Sequence, residues 1–110
     1  MKYTFVTISD KKIPIKFGFN SLRKYSARTN TSLNDFNKIA DNMSLDQALQ
    51  LILCGIEDGF RSAKQKCEYD IDTLSDLIDE DHEAIANCME ILADHMGGNK
   101  KSKGKTKAKN

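Results

Sequence analysis

Three cysteines and two histidines are the side chains best equipped for covalent or metal chemistry here, and their spacing limits what they can do. Cys54, Cys67 and Cys88 form an odd set without a C-x-x-C pair, and each falls within or beside a helical pattern. They read as small, reduced, partly buried thiols. His82 and His95 stand 13 residues apart. Cys88 and His95, seven apart, can share a helix face, but a zinc site takes three or four protein ligands. Nothing beside any cysteine marks an activated thiol or a positioned base. The expectation is a chain without catalytic residues, metal ligands or cofactor, in which both histidines are surface or boundary residues.

Two other patterns invite chemistry and fail a closer test. The acidic run from Asp70 resembles the start of a calcium loop, which needs oxygen ligands at positions 1, 3 and 5, Gly at 6 and Glu at 12. Counted from Asp70, those last three places hold Leu74, Ser75 and Asp81, so helix capping and a solvated acidic face explain the acids better. Gly55 and Gly59 lie inside a helical pattern and do not follow a strand, so they make no phosphate cradle. Their spacing either admits a close helix neighbour or simply weakens the helix, and in a soluble protein the second is commoner.

Charge divides the chain. Its net charge of +1 conceals a 97–110 segment with six lysines (Lys100, Lys101, Lys103, Lys105, Lys107 and Lys109) and no acid. Residues 1–96 keep 11 basic against 16 acidic residues, and Glu68 to Asp94 holds ten acids without a single Lys or Arg. The lysine segment can neutralise phosphates without reading sequence, or it can serve solubility or meet an acidic protein surface, residues 68–94 included. No aromatic residue is interleaved with the lysines to stack on bases.

The elements that would position these groups follow from periodicity. Residues 3–8 are β-branched and aromatic, Ser9 to Lys12 read as a turn, and Ile13, Ile15 and Phe17 alternate in a second strand that Pro14 confines to an edge. A helix from Asn20 carries Leu22, Tyr25 and Ala27 and ends at Asn30. Thr31 or Ser32 caps the next, with Leu33, Phe36, Ile39 and Ala40 at helical spacing before Asp41-Asn42. Ser44-Leu45-Asp46-Gln47 is a capping box before a central helix over about 44–65. Its apolar stripe runs through Leu45, Ala48, Leu49, Ile52, Ile56, Phe60 and Ala63, widened by Leu51, Leu53 and Cys54 until the middle is apolar nearly all round. Asp70 or Asp72 caps a short helix with Leu74, Leu77 and Ile78, and Asp81 caps a last one with Ile85, Cys88, Met89, Leu92 and Met96 inward.

Gly97-Gly98 ends the pattern. The prediction is an α+β fold, predominantly helical: an N-terminal β-hairpin on a compact bundle of four to five helices over 1–97, then a disordered lysine-rich tail over 98–110. The longest apolar run, Leu51 to Cys54, is four residues, against the roughly 20 a membrane helix needs. The alternating start is not expected to be a signal peptide. The expected location is the cytoplasm.

Read in order, these segments resemble the tail assembly chaperone families of long-tailed bacteriophages and prophages. Phe19-Asn20-Ser21-Leu22 stands where that pattern has its aromatic-Asn-x-Leu helix, and Thr29-Asn30-Thr31-Ser32-Leu33 where it has a T-G-x-S-L turn. Leu45 to Ile56 matches the L-x-x-L-L-x-A-G-L helix, and Ile71 to Asp79 the helix that ends in L-I-D. The resemblance spans about residues 3–96. It departs at Asn30, where the pattern has glycine and where Asn also tolerates the left-handed region, and at Ser26 and Ala27, where it has acids.

The resemblance implies a protein that binds the long helical tape-measure protein, keeps it soluble and helps tail-tube subunits polymerise around it in the cytoplasm of the bacterial host, with self-association as a further possibility. It also implies a longer, frameshifted product, which a lysine-rich end with its A-rich codons would suit. A tape measure exposes apolar stripes that need a complementary apolar groove. The residues expected to supply that partner surface are Leu51, Leu53, Ile56 and Phe60 with Ile85, Met89, Leu92 and Met96. The rival expectations are a small regulator that binds nucleic acid through its basic tail, and a minor structural subunit of the tail.

Overall fold

The computed structural model describes residues 3–32 and 43–95. Two strands, β1 (Thr4–Ile8) and β2 (Lys11–Ile15), precede four helices among the described residues: α1 (Phe19–Thr29), α2 (Leu45–Ser62), α3 (Ile71–Asp79) and α4 (Ala84–His95). The α+β class and the hairpin-plus-helices order stand as expected. The helix anticipated over 33–41, Met96, the boundary at 97–98 and the tail lysines lie outside the described residues.

The strands pair antiparallel, with Ile8 opposite Lys11 and Thr4 opposite Ile15. The turn is therefore only Ser9-Asp10, shorter than the sequence implied, and both residues have positive φ (50° and 68°). That is the twist a two-residue hairpin demands, met without the usual Asn-Gly. Val6, Ile8, Ile13 and Ile15 turn inward and are buried. Phe17, anticipated as the end of β2, lies just beyond it and is fully buried all the same.

Local chemistry fixes the helix ends. At the start of α1, Ser21 Oγ accepts the Gly18 N–H at 2.8 Å and donates to the Gly18 carbonyl. Asn30 closes α1 in the left-handed region (φ 56°), which lets the Thr31 N–H reach back to the Ser26 carbonyl. The capping box of α2 is formed: Ser44 Oγ accepts from Gln47 N–H and Gln47 Oε1 from Ser44 N–H. The helix stops at Ser62, three residues short of the sequence reading, because Lys64 turns left-handed (φ 62°) and sends Gln65 N–H back to Phe60 O. Asp70, and not Asp72, caps α3 by accepting from Thr73 N–H at 2.9 Å.

α2 is the central element, and its two glycines are the reason it can be. A Cβ on Gly59 would sit 2.4 Å from the Ile15 nitrogen and the Pro14 carbonyl carbon; one on Gly55 would sit 2.5 Å from the Phe17 ring. The Lys16 N–H then donates to the Gly55 carbonyl at 2.9 Å, tying the chain just beyond β2 to the side of the helix. The expectation that these glycines merely weaken the helix is corrected: they admit a close neighbour, and that neighbour is the β2 main chain and its continuation. Pro14 stands at an edge as anticipated, with its free side against α2. The core joins the hairpin's inner face to Phe17, Tyr25, Leu51, Ile52, Leu53, Cys54, Ile56, Leu74, Ala84 and Cys88.

Candidate partner-binding surface

The acidic 68–94 segment folds as α3 and α4, and one of its acids positions both α4 and the hairpin. Asp81 Oδ1 accepts the Glu83 N–H at 3.2 Å ahead of α4, while Oδ2 accepts the Ser9 N–H at 3.0 Å from the hairpin turn. Ser9 Oγ donates to Glu80 Oε1 alongside. The far end of α4 is held by His95, whose Nδ1 accepts the Phe17 N–H at 3.0 Å.

Between those anchors, Ala84 and Cys88 enter the core completely, while Ile85, Met89, Ile91 and Leu92 are only half-buried against it. On α3, Leu74 is fully buried and Ile71, Leu77 and Ile78 are half-buried. Phe60, near the end of α2, packs beside Tyr69 with ring centroids 6.0 Å apart. Asp72, Asp76, Glu83 and Glu90 of the same segment are exposed.

The anticipated partner residues therefore divide. Leu51 and Ile56 are 0% exposed and Leu53 is 5%, so they are core and present nothing to a partner in this fold. The cause lies in α2 itself, which is covered by the hairpin on one side and by helices on others. Phe60, Ile85, Met89 and Leu92 remain as partly accessible apolar groups. Met96 and Lys100, Lys101, Lys103, Lys105, Lys107 and Lys109 lie outside the described residues. Leu45, read as part of the α2 core stripe, is 69% exposed because it is the first residue of the helix. Sequence reasoning missed Tyr69, Ile71, Leu77 and Ile78 as partner candidates; helical spacing marked the last two as an inner face but not how much of it stays uncovered.

The titratable groups of the interior hold structural positions. Asp58 is fully buried, and although burial pushes its pKa up, hydrogen bonds from Asn20 and Arg61 outweigh this and hold the carboxyl below its usual value. Burial raises all three thiols, Cys88 to about 12, with Asp81 adding to it. Such thiols are poor nucleophiles at neutral pH. Glu57 receives Arg28 at 2.7 Å and Lys24 at 3.5 Å, joining α1 to α2. Among the described residues no three His, Cys, Asp or Glu side chains gather as metal ligands, and no helix is long and apolar enough to cross a membrane.

No family model, curated protein or solved structure matches the chain.

Proposed function

We propose that the chain is a tail assembly chaperone of a long-tailed bacteriophage or prophage, which binds the tape-measure protein, keeps it soluble and promotes tail-tube assembly in the host cytoplasm. One observation carries this reading. The half-buried apolar residues of α3 and α4 (Leu77, Ile78, Ile85, Met89 and Leu92) lie in a segment that is otherwise acidic and contains no Lys or Arg. An amphipathic client helix buries its apolar stripe on such a surface, and basic residues flanking the stripe meet the acids. The resemblance of the segment order to the chaperone pattern is what favours a tape-measure protein as that client.

The test is co-expression with the tape-measure protein that this reading names as the client. That product should move from the pellet to the soluble fraction and copurify with this chain. If it stays insoluble, or stays soluble alone, the chaperone reading loses its basis. Recovery of the chain in purified particles would favour a structural tail subunit instead.

A further inference from the structure

The two edges of the hairpin are treated differently. In a hairpin closed by two residues, the flanking pair Ile8–Lys11 is hydrogen-bonded, and pairing alternates from there. Thr7–Lys12 and Phe5–Pro14 are then the non-bonded pairs, so their main-chain groups point outward from the sheet. On β2 that outward side is closed by α2, through Gly59 against Pro14 and the Lys16–Gly55 hydrogen bond. Among the described residues no hydrogen bond reaches the outward main chain of Phe5 or Thr7. Nor is β1 blunted in its own sequence: Tyr3 to Ile8 contains no charge, proline or glycine.

The outer face beside this edge carries a cation. Phe5 is 46% exposed, its ring meets Tyr3 edge-on at 5.5 Å, and Lys12 Nζ stands 5.1 Å from its centroid. The ammonium thus leans from β2 across the strand at the free edge. We propose that the β1 edge takes up an extended acidic peptide as a third strand, its main chain bonding to Phe5 and Thr7 and a carboxylate meeting Lys12 above the Phe5 ring.

The charge chooses this occupant over the alternatives. A helix satisfies its own main chain and gains nothing from the edge. A second copy of this chain would bring an uncharged β1 with no acid for Lys12, and pairing about Phe5 would set two Lys12 ammoniums together. The proposal stands apart from the helical-client reading, because it uses the main chain of Phe5 and Thr7 and none of the half-buried apolar groups of α3 and α4; the next outward N–H, that of Ser9, is already taken by Asp81.

The experiment titrates two labelled heptapeptides of alternating valine and threonine, one with a central glutamate and one with a central lysine, into the full chain. Amide NMR and fluorescence anisotropy are the readouts. The glutamate peptide should bind about threefold or more tightly than the lysine peptide, the scale of one cross-strand charge pair, and should shift the Phe5 and Thr7 amides. Lys12→Glu, an exposed change that leaves the fold intact, should reverse the preference. Thr7→Pro, whose lost N–H points away from β2, should lose both peptides while circular dichroism stays unchanged. Equal binding of the two peptides, a preference that Lys12→Glu does not reverse, or shifts confined to other elements would overturn the proposal. So would self-pairing through Phe5 and Thr7 in sedimentation, or displacement of the peptide by oligothymidylate.

Discussion

Nδ1 of His95 accepts the main-chain N–H of Phe17 at 3.0 Å, and the two rings meet edge-on with centroids 6.3 Å apart. This pair ties the segment leaving β2 to the last described turn of α4. It requires an unprotonated Nδ1, since an imidazolium has two donors and no acceptor.

A pH dependence with a definite sign follows. Burial lowers the His95 pKa; Asp94 opposes this and Lys16 adds to it. Below about 6.5, the ordinary histidine value, the unfolded chain takes up a proton that the folded chain resists. Stability from this contact is complete above that pH and declines as the pH falls toward the lower folded value. The urea midpoint should drop between pH 7.5 and 5.5 by the equivalent of about 1 kcal/mol or less, the range of one hydrogen bond. His95→Gln, which keeps an acceptor that does not titrate, should flatten that part of the profile; an unchanged profile would remove the contact from the account.

The α2 glycines predict an inverted mutational result. Gly to Ala inside an exposed helix gains up to about 1 kcal/mol. Here Gly59→Ala meets β2 main chain, which has no rotamer to change, and should cost about 2–3 kcal/mol or more. Gly55→Ala meets the Phe17 ring, which can shift, and should cost less. Thermal unfolding of the two variants gives the ranking, and a stabilised Gly59→Ala would contradict the packing described.

Asp81 serves two elements where Asp70 serves one. Asp70→Ala should lose a helix cap worth about 1 kcal/mol. Asp81→Ala loses its bond to Glu83 N–H and leaves the Ser9 N–H without its acceptor, so its cost should approach about 2 kcal/mol. Equal costs in denaturant unfolding would mean that the Ser9 contact contributes nothing.

Much of this arrangement was legible in the residues. Ser44-x-x-Gln47, Asp70 and the left-handed Asn30 announce helix ends through chemistry confined to a few neighbouring residues, and the structure has them there. The meaning of Gly55 and Gly59 was not legible, because the atoms they make room for come from about 40 residues away in sequence. For the same reason periodicity marked Leu51, Leu53 and Ile56 as apolar faces of α2 without revealing that the folded chain buries all three. Ser9-Asp10 hid the tight turn, since neither residue is the glycine that positive φ usually selects. The half-exposed side of α4 was partly visible: Ile85, Met89 and Leu92 came from spacing alone.

The thiols give a chemical check on burial. Cys67 is half-buried, while Cys54 and Cys88 are buried. A disulfide reagent at pH 8 should label Cys67 first. Cys54 and Cys88 should react only at the rate at which local or global opening exposes them. Rapid labelling of Cys88 in the native chain would contradict its buried position on the inner side of α4.

The most direct test of the central claim is amide hydrogen exchange of the full chain, alone and copurified with the tape-measure protein proposed as its client. The account predicts added protection on α3 and α4, centred on Leu77–Ile78 and Ile85–Leu92, with the α1–α2 contact unchanged. A complex that leaves α3 and α4 exchanging as in the free chain, or no complex at all, would contradict it.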